Sequence, residues 1–178
     1  VLRDTELVWG KVLQGTGVQY TNPKLVLFRG VTPTACGTGQ SAMGPFYCPG
    51  DEKVYIDLSF YETMRTQMGA PGDFAQAYVI AHEVGHHVQT VTGTTGKVDS
   101  MRGRISEREQ NNLSVRMELQ ADCYAGIWTA RSQQARNWLE HGDIESAMNA
   151  AARIGDDALQ RAPEHTVMHC FSGDLGMA

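Results

Sequence analysis

The stretch AYVIAHEVGHHVQ, residues 77–89, sets His82, Glu83, His86 and His87 inside an otherwise apolar run that reads as a helix. Residues four apart on a helix share a face about one turn apart, so His82 and His86 point the same way and their imidazoles can grip one metal ion. Glu83 stands beside the first of them, poorly placed to join the metal but well placed to reach a water bound to it. Two ligands and one general base is the logic of a His-Glu-x-x-His helix. Ile80, Val84 and Val91 fall on the far side and are expected to face the core. His87 lies about 140° around the helix from His82. It is off the metal face and reads as a structural histidine, hydrogen-bonded between helices.

Two histidines do not complete a catalytic metal site, so a third ligand must come from elsewhere. One known scheme places a histidine six residues after the second ligand and a glycine three residues after it. Those positions hold Thr92 and Gln89, which rules that scheme out. The other source is an acidic residue on a later helix. RMELQADCYAGIW, residues 116–128, carries Glu118 and Asp122 four apart on one face, with Ala121 and Ala125 small enough for close helix approach. Glu118 as third ligand leaves a fourth position open for water. Asp122 then stands behind, accepting a hydrogen bond from a ligating histidine and fixing its tautomer. The reverse, Asp122 as ligand and Glu118 in support, stays open at this stage. A solvated acidic pair is the competing explanation. Imidazole donors argue for one zinc ion and against calcium or magnesium, which want oxygen.

These residues need a scaffold. The 178-residue chain is long enough for one domain with a real core. With 42% hydrophobic and 20% charged residues the composition is ordinary for a globular protein. Its net charge of -5, with scattered Lys and Arg, argues against nucleic acid as a partner. No apolar run approaches the roughly 20 residues of a membrane-spanning helix. The chain starts at Val1 rather than Met, consistent with a mature form or a fragment, so an upstream anchor or export signal remains open.

Cys36, Cys48, Cys123 and Cys170 show no close metal-binding spacing. Cys36 and Cys48 bracket a Gly- and Pro-rich loop that a disulfide could close, which would leave Cys123 and Cys170 to pair. Four cysteines without metal spacing point to an oxidising compartment.

Along the chain, RDTELVWGKVLQ reads as a short helix with Leu7, Val8 and Leu13 inward. Residues 24–30 and 53–60 read as strands, the second alternating Val54, Ile56 and Leu58 with polar partners. Ser59 and Glu62 have capping-box spacing for a helix over 60–68. Asp73 is a candidate N-cap for the active helix, which runs to about 91. TGTTGKVDSMRG reads as a flexible connection. Ser106 and Glu109 form a capping box for a long helix to about 138, and Asp143 starts another over 144–154. The whole reads as one α+β, mostly helical domain over 1–178, with a small β region ahead of the active-site helix.

HEVGHH followed by ELQADCYAG, and preceded by GPFYCPGDEKVYIDLSF and GAPGDFAQAYVIAHE, resembles the neutral zinc metallopeptidases of bacteria. The likeness covers most of the chain, from about ELVWGKVL to IGDDALQ, with several separated motifs in order. More distantly, the paired helices are similar to thermolysin-like and CAAX-processing peptidases. The resemblance implies a zincin-like domain with a gluzincin-type site: His82, His86 and Glu118 on one zinc, Glu83 as base and Asp122 behind. It also implies a peptide or protein substrate and an extracytoplasmic domain, commonly tethered to a membrane upstream. After Leu159 the sequence departs from the family pattern, so the tail from about 160 reads as divergent or truncated.

The mechanism this implies is hydrolysis by a zinc-activated water, with Glu83 taking its proton and passing it to the leaving amine. Tyr124, His165 and His169 are candidates by type for stabilising the oxyanion. The strand at 53–60 could bind an extended peptide along its edge, or be an interior strand. The alternative function is a non-catalytic zinc-binding interaction module with a degenerate cleft. Glu83 separates the two, because a structural zinc site has no need of a base beside its ligand. A metal-free helical binding domain would require both motifs to be coincidental.

Overall fold

A computed structural model describes residues 1–40, 44–67 and 72–154. They form an α+β arrangement, mostly helical, with five short strands. Helix α1 (Leu2–Val12) turns Leu2, Thr5, Trp9 and Val12 inward, a single face by helical spacing. Val8 and Leu13 also pack inward, but Leu7 is 55% exposed. It lies about 200° around the axis from Trp9, and the larger indole takes the buried side.

Strand β1 (Lys24–Phe28) is followed by a hairpin, β2 (Val31–Thr34) and β3 (Gly37–Gln40), and then by β4 (Phe46–Cys48) and β5 (Lys53–Asp57). The hairpin and β4 occupy most of what the sequence suggested was loop. β1, β5 and β4 form one sheet in that order, β5 parallel to β1 and antiparallel to β4. Of the two readings of the strand at 53–60, edge or interior, the structure gives the interior one, and β5 ends at Asp57 rather than running to 60. Val54, Tyr55, Ile56 and Asp57 are all buried, because both faces of the sheet are covered. Val54 and Ile56 meet the helices, while Tyr55 stacks on Phe46 on the other face.

Asp57 also corrects the expected capping box. One carboxylate oxygen accepts from the Ser59 N–H at 2.7 Å and from its hydroxyl, and the other accepts from the Gly30 N–H at 2.6 Å. That caps helix α2 (Leu58–Gln67) from one residue before its start, while Glu62 pairs with Arg65 instead.

Cys36 and Cys48 form a disulfide with Cα atoms 5.8 Å apart, tying the hairpin to β4. Cys123 is also disulfide-bonded, and Cys170 lies outside the described residues. Closing the 12-residue Cys36–Cys48 separation restricts the unfolded chain, so Cys36→Ala with Cys48→Ala is expected to lower stability by about 2–4 kcal/mol. Denaturant unfolding under oxidising conditions checks it, and no change would show that the hairpin is held by other contacts.

Helix α3 (Asp73–Val91) is the centre of the molecule, with 14 of its 19 residues buried. Its N-cap is Gly72, and Asp73, the expected cap, makes no capping bond. Ile80, Val84 and Val88 pack on the sheet. Tyr78 and Ala81 pack on two later helices, α5 (Glu107–Arg136) and α6 (Asp143–Ile154). A helix, α4 (Thr94–Met101), replaces the expected flexible connection. α5 opens on the expected Ser106–Glu109 capping box. Among the described residues no helix is long and apolar enough to cross a membrane.

α3 and α5 cross at Gly85. A Cβ built there would stand 2.8 Å from the carbonyl oxygen of Ala121 and 3.0 Å from its Cα. At the other end of α5, Asp4 of α1 accepts hydrogen bonds from Trp128 (3.0 Å) and Ser132 (2.6 Å) and pairs with Arg136 at 2.7 Å.

Candidate metal centre

The α3–α5 crossing places Ala121 against Gly85, so the residues on either side of each are brought face to face. From α3 come His82 and His86, one turn apart, and from α5 comes Glu118. One ligand atom from each of the three lies within 4.8 Å of the other two. Glu118 Oε2 is 3.3 Å from His82 Nε2 and 3.4 Å from His86 Nε2. Donors about 2.0–2.1 Å from a tetrahedral zinc stand about 3.3–3.4 Å apart, so both separations fit the ion. His82 is buried, and His86 and Glu118 are half-exposed at the floor of a cleft of ≈ 550 Å³.

Asp122 lies on the far side of His82, with Oδ1 2.9 Å from His82 Nδ1. The Tyr78 hydroxyl donates to the same oxygen at 3.0 Å. Of the two acidic residues, Glu118 therefore faces both Nε2 atoms and Asp122 faces the outer nitrogen of one ring. His86 has an outer partner too: its Nδ1 is 2.9 Å from Gln89 Oε1. Tyr78 and Gln89 escaped the sequence reading, although each is one helical step, i−4 or i+3, from a histidine it serves.

Glu83 is 3% exposed and lines the same cleft. Burial raises its carboxyl above 4.5, opposed by the nearby His82 and His86. For His82, burial disfavours the imidazolium, but bonds to Asp122 and Glu118 outweigh it and hold the pKa well above 6.5. His86 is raised in the same way through Glu118. Burial would raise Glu118, yet the two imidazoles hold it well below the usual carboxylate range. Three carboxylates around two imidazoles make the surroundings of the trio negative, which attracts a cation.

His87 points away, as expected. Its Nε2–H donates to the Thr21 carbonyl at 2.6 Å, so Nδ1 accepts from the Tyr47 hydroxyl at 2.9 Å. It is fully buried and joins α3 to β4 and the segment before β1, rather than to another helix. Tyr124 lies away from the cleft: its ring packs edge-on against Trp9 in the core, which removes it as an oxyanion donor. His165 and His169 lie outside the described residues.

The chain resembles proteins in two distant bacterial groups. It is 55% identical over 168 residues to the uncharacterized protein YpfJ of Escherichia coli K12, covering 94% of this chain and 58% of that protein. It is 40% identical over 166 residues to the uncharacterized protein Rv2575 of Mycobacterium tuberculosis H37Rv, covering 88% and 54%. The chain thus spans little more than half the length of these relatives. No solved structure matches it. The family described as putative neutral zinc metallopeptidase matches residues 1–172. The chain belongs to that family.

Proposed function

We propose that this chain is a zinc-dependent peptidase in which His82, His86 and Glu118 hold one zinc ion and Glu83 is the general base. The observation that carries this reading is the trio of ligand atoms, all within 4.8 Å, beside a buried carboxylate in an open cleft. Bound zinc supplies Lewis acidity, acidifying water and polarising a carbonyl. Glu83 accepts the proton of the attacking water and delivers it to the leaving amine. Its burial raises the carboxylate's affinity for a proton, which strengthens it as a base. Asp122 accepts from His82 Nδ1 and so keeps the Nε2 lone pair turned to the cleft. The domain is accordingly read as zincin-like.

β4 is an edge strand of its sheet, and Phe46 and Tyr47 line the cleft together with Pro45 and Pro49. It replaces β5 as the strand along which an extended peptide binds. The disulfides support an extracytoplasmic location, and an upstream membrane tether in the longer protein remains part of the proposal.

The test is hydrolysis of a mixed peptide library, read by mass spectrometry, with zinc-loaded and chelator-treated protein side by side. Cleavage by the loaded form alone, at one zinc per chain, is the expected result. One zinc per chain with no cleavage would favour the non-catalytic interaction module.

Metal also sets the pH response of stability. In metal-free protein His82 and His86 have raised pKa values. Their contribution is complete below the unfolded value of 6.5 and is lost as pH rises through the folded values. Glu118, shifted down, contributes above its unfolded 4.5 and loses that contribution as pH falls. Metal-free protein is therefore expected to melt highest between about 4.5 and 6.5 and lower at alkaline pH. Zinc binding displaces those protons, so the zinc-loaded form is expected to gain stability over the same rise. Parallel curves in a thermal scan against pH would sink the assignment.

A further inference from the structure

Gln89 is fully buried, and its amide has three partners. The nitrogen donates to the Met117 carbonyl at 2.7 Å and to Gln120 Oε1 at 3.0 Å, and the oxygen lies 2.9 Å from His86 Nδ1. A backbone carbonyl can only accept. Turning the amide over would set two oxygens against each other at Met117, so its orientation is decided by chemistry rather than by fit. With the oxygen fixed towards His86, Nδ1 must be a donor, so Nε2, 3.4 Å from Glu118 Oε2, carries a proton only while the metal-free ring is charged. Met117 is the residue before Glu118. The same amide therefore also holds the backbone of α5 against α3 beside the third ligand.

We propose that Gln89 is a positioning residue of the centre, acting on His86. It holds His86 as the Nδ1–H tautomer, with the Nε2 lone pair free for a metal, as Asp122 does for His82 with a charged partner. This rests on the metal reading above only where zinc affinity is concerned, since the tautomer belongs to the protein itself.

Two variants separate positioning from structural support. Gln89→Glu and Gln89→Met both lose the donors to Met117 and Gln120, but only Gln89→Glu keeps an acceptor for His86. Nitrogen-15 NMR of the imidazoles in metal-free protein, at alkaline pH where the rings are neutral, reads the tautomer directly. We expect Nδ1–H in the parent and in Gln89→Glu, and a mixture in Gln89→Met. Nε2–H in the parent overturns the proposal whether or not either variant folds, and so does one tautomer shared by all three. Competition with a zinc chelator on the same samples is expected to show Gln89→Met about 10–100-fold weaker, with Gln89→Glu within a few-fold of the parent. Equal losses in both variants overturn positioning in favour of a purely structural role. A parent that binds no zinc sinks the metal reading, while the tautomer result still decides this one.

Discussion

Zinc-loaded protein carrying Glu83→Gln is expected to keep its metal and lose peptide hydrolysis by about 10²–10⁴-fold, the usual contribution of a positioned general base. The side chains are nearly isosteric, so the cleft keeps its shape, but an amide cannot take a proton from water. Glu83 is outside the trio whose ligand atoms converge, so its loss leaves the donor set whole. Stability supplies a second, independent sign. Glu83 is an acid raised by burial, so the folded state disfavours its charge. Replacing it with a neutral amide is expected to leave the melting temperature of the zinc-loaded protein unchanged or higher. A residue kept for chemistry at the expense of stability behaves that way, and one kept for structure does not. Single-turnover hydrolysis with matched zinc content makes the comparison. Retained activity in the variant would move the base to another residue.

Gly85→Ala is expected to damage fold and centre together. Alanine in a helix interior is favoured over glycine by about 1 kcal/mol. Against this, the new methyl would meet the Ala121 carbonyl oxygen at 2.8 Å and its Cα at 3.0 Å. Both are backbone atoms of a packed helix and cannot swing aside. Overpacking of this kind costs typically 1–3 kcal/mol, so the net change is a loss of up to about 2 kcal/mol. Glu118 and Asp122 stand on either side of Ala121, so pushing α5 away draws both from the histidines and weakens zinc binding. The control is Gly96→Ala on α4, where nothing lies within 4 Å and φ is not in the left-handed region. That change is expected to stabilise by about 0.4–1 kcal/mol. Chemical denaturation and zinc competition on both variants check the pair. A stabilised Gly85→Ala would mean that the helices are free to separate there.

The parts of the centre that local spacing encodes were legible in the sequence. His82 with His86, and Glu118 with Asp122, are each four apart on a helix, and Ala121 signalled the close crossing. The parts that depend on the backbone of another element were not. Gln89 binds the Met117 carbonyl and Tyr47 binds His87 across 40 residues, and neither leaves a periodic trace. In the fold, β1 and β5 were found where apolar residues alternate or cluster, while β4, three residues long, was too short to read. The β2–β3 hairpin was missed because Thr, Gly and Pro carry no such signal. α4 was missed for a related reason: it has no buried residue, hence no apolar face to read. The length of β5 was overread because Leu58 continued an alternation that Asp57 had already ended by capping a helix.

The reach of Asp4 bears on how the protein is made. The groups that clasp it lie 124 and 128 residues downstream, so during synthesis that clasp waits until the C-terminal half of α5 has emerged. The contact between His82 and Asp122 spans only 40 residues and closes a far shorter loop. The two helices of the candidate metal centre are thus poised to meet before α1 closes on α5, and amide protection in pulse-labelled refolding should arise in α3 and α5 ahead of α1. Closing the α1–α5 clasp becomes the late step, and the interval before it is when a chaperone would find the inward face of α1 to hold.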